Sequence, residues 1–80
     1  MTNIVRIRRG FYQITGVTCE CGGELLVESH KADGTPLSSN RDFRWESFCA
    51  RCGVCDTNGW ATLNEAVAAA PEFFNPARPQ

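Results

Sequence analysis

The chain has one histidine, one lysine and no apolar run longer than the five residues from Ala66 to Ala70. Each scarcity removes a class of function. A bilayer-spanning helix needs about 20 consecutive apolar residues, so none is expected. With His30 as its only histidine, the chain has no His–Glu motif of the kind a zinc hydrolase uses to activate water. No glycine-rich loop follows a strand to cradle phosphate. A formal charge of −1 supplies no overall attraction to nucleic acid or to a membrane surface. The opening residues, MTNIVRIRRG, lack an apolar stretch ahead of a cleavage site, so no secretory signal and a reducing cytoplasm are expected.

What the chain does have is thiols. Five cysteines fall in two clusters, Cys19-Glu20-Cys21-Gly22-Gly23 and Cys49-Ala50-Arg51-Cys52-Gly53-Val54-Cys55. An odd number in a reducing compartment favours metal over disulfides. Eighty residues make one domain near the lower limit of independent stability. A core of that size supplies about 3–5 kcal/mol, whereas a structural zinc site contributes about 10–16 kcal/mol of apparent binding energy. One structural Zn²⁺ per chain is therefore expected, held by Cys19, Cys21, Cys49 and Cys52. Cys55 is a possible substitute: Cys52-Gly53-Val54-Cys55 repeats the C-x-x-C spacing, and the short Cys19-Glu20-Cys21 turn strains to deliver both sulfurs. The set Cys21, Cys49, Cys52 and Cys55 stays open. Four thiolates leave no position for water, which is the structural rather than the catalytic pattern. His30 lies nine residues past Cys21 and is expected to point away.

The rest of the chain supplies strands to carry these turns. Ile4 to Arg8 alternates apolar and basic residues, as in a strand with one buried face, and Arg9-Gly10 can turn it into Phe11–Ile14. Glu24–Ser29 and Asp42–Phe48 read as strands that pair antiparallel and bring both cysteine clusters to one end. Lys31 to Asn40 is turn chemistry, and Thr57-Asn58-Gly59 a second turn. Thr62-Leu63-Asn64-Glu65 is a capping box. A helix follows from Leu63 to Ala70, with Leu63, Ala66, Val67 and Ala70 on its buried face and Pro71 as its stop. The expected fold is α+β: a small zinc-ribbon-like antiparallel sheet with an N-terminal hairpin (residues 1–16), one short C-terminal helix and a Pro-rich tail (residues 71–80). In that tail Phe73 and Phe74 either fold back onto the domain or form an exposed anchor.

Seven of the eight basic residues are arginine, which favours bidentate contact with carboxylate or phosphate. Arg6, Arg8 and Arg9 stand together near the N-terminus, and Arg41, Arg44 and Arg51 surround the second cysteine cluster. These six are the candidate binding residues. Alternation turns Phe43 and Trp45 toward the core, away from Arg44, so a base-stacking surface there is not favoured.

The order Cys21-Gly22-Gly23-Glu24, a strand, Phe48-Cys49-Ala50-Arg51-Cys52-Gly53, then Ala61-Thr62-Leu63-Asn64-Glu65-Ala66-Val67 resembles the restriction-alleviation (Lar-like) zinc-ribbon family of phages and prophages. The match covers about residues 17–75. It departs at Cys19-Glu20-Cys21, where members look like C-x-x-C, and Cys55 is extra. The resemblance implies a non-catalytic accessory protein in the bacterial host cytosol, a monomer or small homo-oligomer. Its partner would be a host restriction complex or, by analogy, a CRISPR complex. The competing class is a nucleic-acid-binding zinc ribbon serving transcription or DNA metabolism, and a third is a structural phage component.

Overall fold

A computed structural model describes residues 2–31 and 43–76. These residues form a five-stranded antiparallel sheet in sequence order, with one helix on one of its faces. The strands are β1 (Asn3–Arg8), β2 (Phe11–Thr15), β3 (Leu25–Lys31), β4 (Phe43–Cys49) and β5 (Cys55–Trp60), followed by helix α1 (Leu63–Phe74). The expected turn from Lys31 to Asn40 falls, beyond Lys31 itself, outside the described residues, as do Arg41 and the end of the tail.

Register fixes which side chains share a face. Ile14 lies opposite Leu25, Leu25 opposite Cys49, Val27 opposite Ser47, and Ser47 opposite Asp56. This face is buried under α1, which packs on β3, β4 and β5. Ala66 and Ala70 are fully buried; their small side chains let the helix backbone approach the sheet, with Trp45, Trp60, Leu63 and Val67 filling the flanks. The opposite face carries Phe11, Leu26 and Phe48, with the rings of Phe11 and Phe48 parallel and 6.5 Å apart.

Three expectations are corrected. Ile4 to Arg8 has no buried face: all six residues of β1 are exposed, including Val5 and Ile7 at 52% each. Among the described residues the strand forms the far edge of the sheet, paired to β2 alone, beyond the strands that α1 covers. Thr57-Asn58-Gly59 is not a turn but a bulge inside β5, where three residues stand opposite the single Glu46 between Trp45 and Ser47. The buried Asp56 holds it: Oδ1 accepts from the Asn58 backbone N–H (3.1 Å) and side-chain amide (2.8 Å), and Oδ2 accepts from Trp60 Nε1–H (2.8 Å). Trp60 accordingly ends this strand.

Pro71, finally, does not stop the helix, which runs on to Phe74. Proline forfeits one hydrogen bond, to the Val67 carbonyl. The last turn is retained because Phe74 is buried to 3% exposure and the Asn75 N–H bonds the Pro71 carbonyl at 3.0 Å. Phe74 thus folds back while Phe73 stays 41% exposed. At the other end Thr62 caps as expected, its Oγ1 accepting from the Glu65 N–H (3.2 Å) and donating to the Glu65 carboxylate (2.9 Å).

Candidate metal centre

The register of β3 against β4 places the end of the first cysteine turn beside the start of the second. The Ala50 N–H donates to the Glu24 carbonyl at 2.9 Å, tying the two turns directly. As a result the sulfurs of Cys19, Cys21, Cys49 and Cys52 all lie within 4.8 Å of one another. Cys21 and Cys49 are 3.4 Å apart, Cys19 and Cys52 3.7 Å. A tetrahedron of thiolates at the Zn–S distance of about 2.3 Å has edges of about 3.8 Å, so the four donors fit such an ion in number, type and spacing.

The second turn has the full knuckle geometry. Cys49 Sγ accepts from the N–H groups of Arg51 and Cys52, both at 3.4 Å. The Gly53 N–H closes the loop onto the Cys49 carbonyl at 3.1 Å, with Gly53 at φ +81°, where glycine meets no Cβ penalty. The first turn is tighter by one residue. The Gly22 N–H closes onto the Cys19 carbonyl at 2.8 Å, and the Gly23 N–H reaches Cys21 Sγ at 3.4 Å.

Support for this cramped turn comes from outside it. The Glu20 N–H donates to the Phe74 carbonyl at the end of α1 (3.1 Å), and the Asn75 side-chain amide donates to the Thr18 carbonyl (3.2 Å). The Arg51 guanidinium reaches across from the second turn to the Cys21 carbonyl at 3.0 Å. Gly23 is where the two turns touch. A Cβ on it would sit 2.6 Å from Cys49 Sγ and 2.5 Å from Arg51 Cβ.

Charge is distributed unequally over the sulfurs. Cys49 is pulled down from 9.0 to about 6, first by the Cys52 N–H and also by the Arg51 N–H, against the opposing effect of burial. Cys19 is pushed up to about 11: a hydrogen bond from the Cys21 backbone opposes the rise, but burial and the neighbouring sulfurs of Cys21, Cys52 and Cys49 outweigh it. Four thiols this close cannot all ionise without a cation among them. A metal ion held among them would supply that positive charge.

Cys55 is not in this cluster. It is exposed, bonds the Gly53 carbonyl through its thiol, and lies opposite Phe48 on the face away from the buried Cys49. The backbone of His30 pairs with Arg44, five residues along β3 from the Leu25–Cys49 pair, a distance of about 16 Å at strand rise.

The described arginines do not form one patch. Arg51 clamps the cysteine turns, whereas Arg44 stands near the other end of β4 and packs along Gly59. Arg6 lies opposite Tyr12 on the helix side of the sheet, exposed. Arg8 lies opposite Phe11 on the other side, where it pairs with Glu28 at 2.8 Å and covers the Phe11 ring. Arg9 is exposed in the turn.

Sequence reasoning missed the clamp of Arg51, the contact made by Gly23, and the docking of Phe74 and Asn75 on the first turn. The Gly-Gly pair was the available signal for close backbone approach, but only register shows what approaches it. Among the described residues no helix is long and apolar enough to cross a membrane. Compared with protein-family models, curated proteins and solved structures, the chain matches none.

Proposed function

We propose that this chain is a structural zinc module that acts by contact, without catalysis, and that it inhibits a bacterial defence complex as restriction-alleviation proteins of phages do. The observation that carries the reading is the four-sulfur cluster within 4.8 Å. Cys19, Cys21, Cys49 and Cys52 would hold the ion, which would cross-link the two turns. A complete thiolate shell leaves no open position for substrate or water, so the metal serves the fold. Function then falls to the surface, where Arg6, Arg8, Arg9 and Arg44 offer cations to an acidic partner. The order of C-G-G-E, strand, F-C-A-R-C-G and T-L-N-E-A-V supports the anti-restriction assignment.

Two measurements test the reading. Elemental analysis should give one zinc per chain, with unfolding on chelation; metal-free, folded protein would end the zinc reading. Titrating the zinc-loaded protein into purified restriction or CRISPR effectors with their DNA should abolish cleavage near equimolar ratio. Undiminished cleavage by both classes would end the anti-defence reading.

A second reading has one observation in its favour. The parallel rings of Phe11 and Phe48, with Arg8 over Phe11, form an aromatic–arginine surface on the helix-free face, as nucleic-acid binders use. Glu28 and Glu46 share that face and oppose phosphate. Oligonucleotide binding that weakens steeply with salt would favour this second reading.

A further inference from the structure

The two edges of the sheet are treated differently. β5 carries the Asp56-held bulge along one edge and is packed by α1, devices that discourage another strand from pairing there. β1, on the opposite edge, is paired on one side only among the described residues and runs in regular register from Asn3 to Arg6 before bulging at Ile7. It carries Ile4, Val5 and Ile7, exposed at 36%, 52% and 52%, so it contributes no residue to the core. An open edge of apolar residues is a template for strand addition.

We propose that the outer edge of β1 takes up an extended segment of a partner protein in which apolar and acidic residues alternate. This rests on the reading of the chain as a contact protein and adds the place, mode and chemistry of the contact. Charge selects the occupant. Arg6, Arg8 and Arg9 lie within four consecutive positions, and among the described residues only Arg8 of the three has a carboxylate partner, on Glu28. A second copy of β1 would bring another arginine cluster and no carboxylate to this edge, so it offers Arg6 and Arg9 no opposite charge. A segment bearing Glu or Asp meets Arg6 and Arg9 instead, while its apolar residues, on the other face of the added strand, cover Val5. Backbone bonds supply affinity and the alternating side chains supply selection.

The test uses the zinc-loaded protein and a fluorescent, end-blocked peptide of alternating Glu and Val. Three comparison peptides replace Glu by Lys, shuffle the order into separate Glu and Val blocks, or N-methylate every second amide. The alternating peptide should bind, and the Lys, shuffled and methylated forms should each lose at least about tenfold in affinity. Arg6→Glu with Arg9→Glu should reverse the preference between Glu and Lys peptides, with zinc content unchanged because β1 lies outside the core. Equal binding of the methylated peptide would mean that no strand is added and would overturn the proposal. So would failure of the Glu peptide to bind, or self-association that the double Arg→Glu change strengthens. A chain that binds the peptide yet inhibits no defence complex loses only the anti-defence reading; one that inhibits a complex without peptide competition loses only this one.

Discussion

The two cysteine turns do the same job by different means. The second, from Cys49 to Val54, is self-sufficient: two N–H groups aim at Cys49, and its loop closes with Gly53 in open space. The first, from Cys19 to Gly23, has one residue fewer, and it borrows its rigidity from the helix end and from Arg51. The electrostatics differ as well. The N–H donors of Cys52 and Arg51 lower Cys49 to about 6, whereas at Cys19 the bond from the Cys21 backbone is outweighed by burial and the neighbouring sulfurs, which raise it to about 11. A ligand turn can therefore be encoded locally or delegated to tertiary contacts. Delegation makes distant substitutions matter.

The largest effect should come from removing the ion or its most pre-ionised ligand. Cys49→Ala leaves three donors and, with about 10–16 kcal/mol of metal energy at stake, should abolish cooperative folding. Circular dichroism with and without zinc checks this; a zinc-independent fold in the variant would contradict it. Binding should also release protons in an uneven way. At pH 7.5 Cys49, near 6, is already a thiolate, whereas Cys19, near 11, must give up its proton to the solvent. Calorimetry in buffers of different ionisation enthalpy should find fewer than four protons released per zinc, and affinity should fall as pH falls.

Gly23→Ala should come next. Its Cβ would enter within 2.6 Å of a ligand sulfur, and neither turn can retreat without opening the cluster. Zinc affinity should drop by orders of magnitude, read by competition with a chelator. Gly53→Ala is the control from the other turn: it meets no atom within 4 Å and should cost only the backbone strain of a positive φ, about 1–2 kcal/mol. Equal damage from the two changes would erase the proposed difference between the turns.

How much of this the sequence disclosed depends on the range of the interaction responsible. The alternation in Asp42–Phe48 and the Thr62–Glu65 cap are local signals; the strand formed as Phe43–Cys49, within a residue of the expected bounds, and the cap formed where expected. The antiparallel pairing that brings Cys19 and Cys21 to Cys49 and Cys52 followed from strand order alone. Pro71 misled because its penalty is local, whereas the burial of Phe74 that outweighs it is tertiary. Thr57-Asn58-Gly59 misled because turn residues also build bulges, and only the buried Asp56 selects between them. Ile4–Arg8 alternates like a half-buried strand but sits where the helix does not reach.

Phe74→Ala addresses the delegated turn from a distance of more than fifty residues along the chain. Truncating a buried Phe costs about 3–5 kcal/mol in general, and here the loss should fall unevenly. The last turn of α1 contains Pro71 and depends on that ring, so its carbonyl at residue 74 would no longer be held against the Glu20 N–H. The first knuckle should loosen while the second keeps its internal bonds. In chelator-treated protein, Cys21 should then alkylate faster than in the parent, with Cys52 unchanged, as mass spectrometry of the labelled peptides would show. Equal acceleration at both cysteines would mean that the helix end stabilises the whole domain and not the first turn in particular.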